Sequence, residues 1–161
     1  MPRIDVPDRG FGEHIDWMLL RPEMAMGVGA FSEAVYGNST LPVREREAAR
    51  WTIALINHCA VCQGTRSKDA AEQHIDDGFY AEVAGWHGST LLTDRERMAA
   101  EFAQRFANDH LLMDDAFWSR ARGLFSDDEL ADLTICCALW LGTGRAMAVL
   151  GVEAPAEQIV V

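Results

Sequence analysis

The stretch Leu41-Pro42-Val43-Arg44-Glu45-Arg46-Glu47-Ala48-Ala49-Arg50-Trp51-Thr52-Ile53-Ala54-Leu55-Ile56-Asn57-His58-Cys59-Ala60-Val61-Cys62 holds the strongest signals for fold and chemistry. Pro42 suits the first turn of a helix, where its missing N–H costs nothing. Glu45, Glu47, Trp51, Ile53, Leu55 and Ile56 follow at helical spacing, and Asn57-His58 breaks the run. Cys59 and Cys62 then stand at the start of a further helix, predicted from about Cys59 to Ile75 and ending near Asp76-Asp77-Gly78.

The same period extends outward. Met24, Val28, Phe31 and Val35 predict a helix from Pro22 to Tyr36, stopped by Gly37-Asn38. Phe79 to Trp86 predicts a short helix and His87-Gly88-Ser89 a loop. Thr93-Asp94-Arg95-Glu96 and Ser126-Asp127-Asp128-Glu129 are capping boxes, each opening an apolar-periodic helix. The first runs through Met98, Phe102 and Phe106, the second through Leu130, Leu133, Cys137 and Trp140, and a last helix after Gly142-Thr143-Gly144 carries Met147 and Leu150. Strand-like alternation is nearly absent, so the expected class is all-α, a single helical domain over residues 1–161. Leu41-Pro42-Val43-Arg44-Glu45-Arg46 also echoes Leu92-Thr93-Asp94-Arg95-Glu96-Arg97, as two related helical hairpins would.

Bulk properties narrow the function. With 14 basic and 25 acidic residues the formal charge is −11, which argues against nucleic acid or an anionic membrane as partner. The most apolar stretch, Ile135 to Val152, contains Arg145 and glycines, against a membrane span. The first residues, Met1-Pro2-Arg3-Ile4-Asp5, carry no apolar run of signal-peptide length, and a cytoplasmic location is expected. The four cysteines fall as one Cys-x-x-Cys and one adjacent pair, Cys136-Cys137, a pattern of redox or metal chemistry more than of a disulfide framework.

Two cysteines three apart on a helix share a face and lie near enough for a reversible disulfide. At a helix start the free N–H groups and the macrodipole favour a thiolate, and Arg66 and Lys68 push the same way. Three other readings compete. Two buried cysteines acting as small hydrophobes rank second. A structural zinc site ranks a distant third, because no second ligand pair stands at suitable spacing. A thioredoxin fold would need βαβ patterning that the chain lacks. No metal or cofactor is expected.

A glutamate on one helix followed twelve residues later by Cys-x-x-Cys, here Glu47, Cys59 and Cys62, resembles the alkylhydroperoxidase D and carboxymuconolactone decarboxylase superfamily. Arg21-Pro22-Glu23 and Leu92-Thr93-Asp94-Arg95-Glu96 match its habits too, so the resemblance covers most of the chain. It implies an all-helical homo-oligomer and a thiol-dependent oxidoreductase, peroxidase-like or a disulfide reductase. The small-molecule substrate would be a peroxide or another oxidant, with a thiol reductant. Cys62 would attack and become a sulfenic acid, Cys59 would close the disulfide, and Glu47 would belong to a proton relay with histidines. The family's relay histidines fall between the cysteines and four residues after the second, where this chain has Val61 and Arg66. If the helices fold back at Asn57-His58, Arg66 approaches Glu47 as a fixed salt bridge. The alternatives are a decarboxylase-like lyase or isomerase using Glu47 or His58 in acid–base chemistry, and a non-enzymatic oxidant sensor.

Other residues have plainer readings. His58 is expected to cap the preceding helix, His74 to lie too far from the cysteines to help, and His14, His87 and His110 to sit on the surface. Trp51 shares a face with Glu47 and walls a pocket or fills the core. Cys136-Cys137 is expected to be buried filler, and Arg145 to pair with a core carboxylate in preference to meeting an anionic substrate. Asp127-Asp128-Glu129 is helix-start chemistry. Met24, Met26, Val28 and Phe31 offer apolar surface to a second copy.

Overall fold

A computed structural model describes residues 2–161. Helices account for all the regular structure among these residues: α1 (Glu13–Asp16), α2 (Pro22–Asn38), α3 (Val43–Ile56), α4 (Ala60–Gly64), α5 (Asp77–Ala84), α6 (Asp94–Asn108), α7 (Asp115–Arg122) and α8 (Asp127–Leu150). The all-α class therefore stands. Short 3-10 turns at Met18–Leu20, Trp86–Gly88 and His110–Leu112 link some of them.

α3 is the axis of the molecule, packed on α6, α8, α5 and α4. Its residues Glu45 to Arg50 are all buried, charged ones included. Ile53, Phe102, Phe117, Leu133 and Cys137 fill the core around it. Both capping boxes are formed, Thr93 with Glu96 and Ser126 with Glu129. Asp76 and Asp114 cap α5 and α7 by accepting from the N–H groups of Phe79 and Phe117. α1 and α7 are too short to show an apolar period in the sequence.

The echo between the two helix starts is structural. Leu41 and Leu92 are both buried, Arg44 Nε bonds Glu96 Oε1 at 2.5 Å, and Arg95 Nε bonds Glu45 Oε1 at 3.0 Å. Each helix thus lends an arginine to the glutamate of the other.

α3 ends in a Schellman motif. The Cys59 N–H bonds Ala54 O and the His58 N–H bonds Leu55 O, with His58 in the left-handed region at φ 50°. His58 thus caps the helix through its backbone.

Two expected helices differ. The helix from Cys59 to Ile75 stops at Gly64, because side chains take the carbonyls that would prolong it. Thr65 Oγ1 donates to Val61 O, Arg50 to Cys62 O and Arg66 to Gln63 O. Freed from the helix, the Arg66 N–H bonds Ile159 O and the Val161 N–H bonds Arg66 O, a single parallel bridge that straps the final residues beside α4. Conversely, α8 runs unbroken through Gly142 and Gly144 instead of dividing there. A Cβ at Gly144 would come within 2.9 Å of Asn57 Nδ2 and 3.1 Å of Cys62 Sγ, so that glycine serves a close approach and not a break. By length and composition α8 is the one helix among the described residues able to cross a membrane, yet it buries Leu133, Cys136 and Cys137 in the core.

Candidate functional site

Cys59 and Cys62 are joined as a disulfide, with Cα atoms 5.3 Å apart. Cys59 is the N-cap of α4, and its sulfur accepts from the Cys62 N–H at 3.2 Å. The two sulfurs differ in access. Cys59 is 1% exposed, packed with Val61 and Val152, whereas Cys62 is half-buried and opens on a cavity of about 520 Å³. That volume lies within the range of small-molecule sites. The cavity wall comes from α1, α2, α3, α4, α8 and the final strap, and is mostly apolar: Trp17, Met18, Val28, Leu139, Trp140 and Met147 contribute. Arg50 and Tyr36 bring polar groups to it.

Glu47 is fully buried and closed on itself by hydrogen bonds. Arg50 grips it with two N–H groups, Nε to Oε1 and Nη2 to Oε2, both at 2.7 Å. The Tyr80 hydroxyl donates to Oε2 at 2.8 Å. Arg50 also donates to Cys62 O at 2.7 Å and Thr65 O at 3.1 Å, so the ion pair holds the backbone that carries the cysteine. Burial opposes the charge on Arg50, but the bonds and the charge of Glu47 outweigh it and keep it protonated. Burial, then Glu47, pushes the Tyr80 phenol well up, so it remains a donor.

The partner of Glu47 is therefore Arg50, and the expected Arg66–Glu47 salt bridge is not formed. Arg50 stands one helical turn after Glu47, so the same-face rule could have found it. Arg66 lies over the Tyr80 ring at 4.4 Å and the Trp51 ring at 5.4 Å, and meets exposed Asp77 at 3.6 Å. Trp51 packs on Tyr80 at 4.7 Å between centroids, against the core and away from the cavity wall. Arg145 is exposed and bonds the Asn57 amide, Nε to Oδ1 at 2.9 Å, so its partner is not a core carboxylate. Asn57 Nδ2 reaches the carbonyls of Trp140 and Leu141, fixing the end of α3 to α8 beside Cys62. His14 lies in the cavity wall instead of on the open surface, brought there by the chain before α2. His87 and His110 are exposed, as is His74. Cys136 and Cys137 are buried, and burial pushes the Cys136 thiol up to about 12. Among the described residues no cluster of three or more histidine, cysteine or acidic side chains could hold a metal ion.

Residues 22–105, more than half of the chain's 161 residues, match the model of the carboxymuconolactone decarboxylase family. The chain belongs to that family. The match spans Glu47, Arg50, Tyr80 and both cysteines of the site, and leaves out α1 and α8. Among curated proteins it is 32% identical to the uncharacterized protein YnjA of Escherichia coli over 97 residues, which are 60% of this chain and 52% of that one. It is 31% identical to the uncharacterized protein Rv2313c of Mycobacterium tuberculosis over 115 residues, 70% of this chain and 39% of the relative. The chain thus spans about half the length, or less, of the curated relatives it matches.

Solved structures share the fold at low identity. A protein of unknown function from Agrobacterium tumefaciens, proposed to be the antioxidant defence protein AhpD, superposes with a TM-score of 0.77 at 20% identity, over 89% of this chain and 99% of that one. An uncharacterized peroxidase-related protein from Silicibacter sp. gives 0.73 at 18%, over 89% and 76%. The debrominase Bmp8 gives 0.73 at 18%, over 89% and 77%. The fold is therefore that of the alkylhydroperoxidase D-like group.

Proposed function

We propose that this protein is a thiol-dependent oxidoreductase that reduces a peroxide at Cys62 and closes a Cys59–Cys62 disulfide. The observation that carries the reading is the unequal access of two sulfurs within bonding reach. Cys62 faces a substrate-sized cavity, and Cys59 is buried behind it. The Cys62 thiolate attacks the peroxide, an S–O bond forms as the O–O bond breaks, and the leaving oxygen takes a proton. The Cys59 thiol then displaces water from the sulfenic acid, giving the disulfide, and an external thiol reductant restores both thiols. The fold shared with an uncharacterized peroxidase-related protein and with a protein proposed to be an antioxidant defence protein supports the assignment. Glu47 acts by holding Arg50 in place, since both of its oxygens are already engaged. This closed carboxylate argues against a lyase that uses Glu47 as its acid–base group.

The active form is a homo-oligomer. α2 buries only Val35 within the subunit and leaves Met24, Met26 and Phe31 at 62%, 69% and 39% exposure.

Thiol counting by mass spectrometry on reduced native protein tests the chemistry. One equivalent of hydroperoxide should consume two thiols as a Cys59–Cys62 disulfide and leave Cys136 and Cys137 untouched. Cys59→Ser should stall as a Cys62 sulfenic acid, and Cys62→Ser should consume no peroxide. An unchanged thiol count would overturn the reading.

A further inference from the structure

Peroxide reduction leaves one requirement unassigned. The oxygen that departs from the O–O bond carries growing negative charge and needs a hydrogen-bond donor. Val61 and Arg66 occupy the positions where the family has histidines, and Tyr80 spends its hydroxyl on Glu47. Arg50 commits four of its five N–H groups to Glu47, Cys62 O and Thr65 O.

Tyr36 is different. It projects from α2 into the wall of the cavity that Cys62 faces. The Trp140 indole N–H donates to its oxygen at 3.1 Å, which fixes the phenol and occupies a lone pair. A phenol that accepts still has its own O–H to give. Among the described residues no acceptor for that proton is found. Burial raises the phenol's affinity for its proton, against the opposing charge of Arg50, so it stays a donor at neutral pH.

We propose that the Tyr36 hydroxyl donates a hydrogen bond to an oxygen of an apolar organic molecule held in this cavity beside Cys62. The cavity selects the class of molecule. Its volume of about 520 Å³ and its Val28, Leu139 and Met147 surfaces suit a hydrocarbon body, and Tyr36 and Cys62 lie in the same wall to meet a polar end. The inference rests on the peroxide reading only for the identity of that oxygen. In that reaction the substrate is an organic hydroperoxide: the Cys62 thiolate attacks its terminal oxygen, the O–O bond breaks, and the electron pair goes to the oxygen bonded to carbon. Tyr36 holds that oxygen while a solvent proton completes the alcohol.

A binding cycle tests the contact without turnover. The probes are 2-phenyl-2-propanol and isopropylbenzene, which differ chiefly by the hydroxyl oxygen, titrated into reduced protein and followed by the fluorescence of Trp17 and Trp140 in the wall. Tyr36→Phe should weaken the alcohol about fivefold, as loss of one hydrogen bond does, and leave the hydrocarbon unchanged. Val28→Trp, which fills the cavity from α2, should abolish binding of both probes with the thermal melt retained. Equal weakening of both probes by Tyr36→Phe, an unchanged alcohol affinity, or binding that survives Val28→Trp would each overturn the proposal. Peroxide consumption is measured separately, so a failed peroxidase assay leaves this cycle readable, and the reverse holds as well.

Discussion

Helices α3 and α6 enter the core from matching starts, with Leu41 and Leu92 buried and Arg44 and Arg95 exchanged between Glu96 and Glu45, but they diverge within two turns. Counting from those leucines, Glu47 on α3 corresponds to Met98 on α6, and Arg50 to Glu101. Met98 is ordinary core. Glu101 turns outward to Arg105 and Arg120, at 2.8 and 2.7 Å. On α3 the ion pair turns inward, to the carbonyls of the cysteine segment. One helix start thus serves two ends: α6 packs and solvates, and α3 holds the backbone of a thiol site.

The largest test of that contrast removes each pair. Glu47→Ala should cost about 3–5 kcal/mol in urea unfolding, because it leaves the Arg50 charge buried and unpaired. Glu101→Ala should cost less than about 1 kcal/mol, since its partners reach solvent. Glu47→Met with Arg50→Leu, which leaves no buried charge, should recover part of the stability and lose control of the cysteine segment. Equal costs at Glu47 and Glu101 would break the comparison.

A smaller test concerns what the helices share. Arg44→Met and Arg95→Met should each cost about 1–2 kcal/mol, since each arginine bonds backbone carbonyls as well as its glutamate. The double variant should depart from additivity by about 0.5 kcal/mol or more, because the two pairs are neighbours. Strict additivity in chemical denaturation would mean that the two exchanges act alone.

The smallest effect is a pH dependence. Hydrogen bonds from Arg120, then its charge and Arg105, outweigh burial and hold the Glu101 carboxyl below its usual range. A carboxyl lowered in the folded state contributes stability above its unfolded value, and that contribution fades as pH falls through the folded value. Glu101→Gln should therefore lower stability slightly at neutral pH, with the difference shrinking as pH falls through the folded value, as pH-resolved thermal melts would record.

Much of this architecture was legible in the sequence because it rests on local rules. The two capping boxes, the start of α3 and the break at Asn57-His58 depend on neighbours within one turn. The end of α4 was not legible, because the local bonds of Thr65 and Arg66 act together with Arg50 from another helix, and the final strap takes the Arg66 backbone. The glycines of α8 misled for the same reason: Gly144 answers to Asn57 and Cys62, which are distant in sequence. In the site, the cysteines and Glu47 were readable from type and spacing. Tyr36 and Tyr80 gave no sequence signal, and Asn57 read only as a helix break, since their roles in the site depend on tertiary hydrogen bonds. His14 reached the cavity wall by the path of the chain before α2, which no periodicity foretells.

The grip of Arg50 on the Cys62 and Thr65 carbonyls, with the Cys59 N–H on Ala54 O, supports the cysteine segment by its backbone and touches neither sulfur. Cleaving the sulfur–sulfur bond withdraws none of that support, and the Cys62 N–H facing Cys59 Sγ suits a thiolate at least as well as a disulfide. The segment that carries the two sulfurs is thus anchored independently of the bond between them, so opening that bond should leave its contour nearly unchanged.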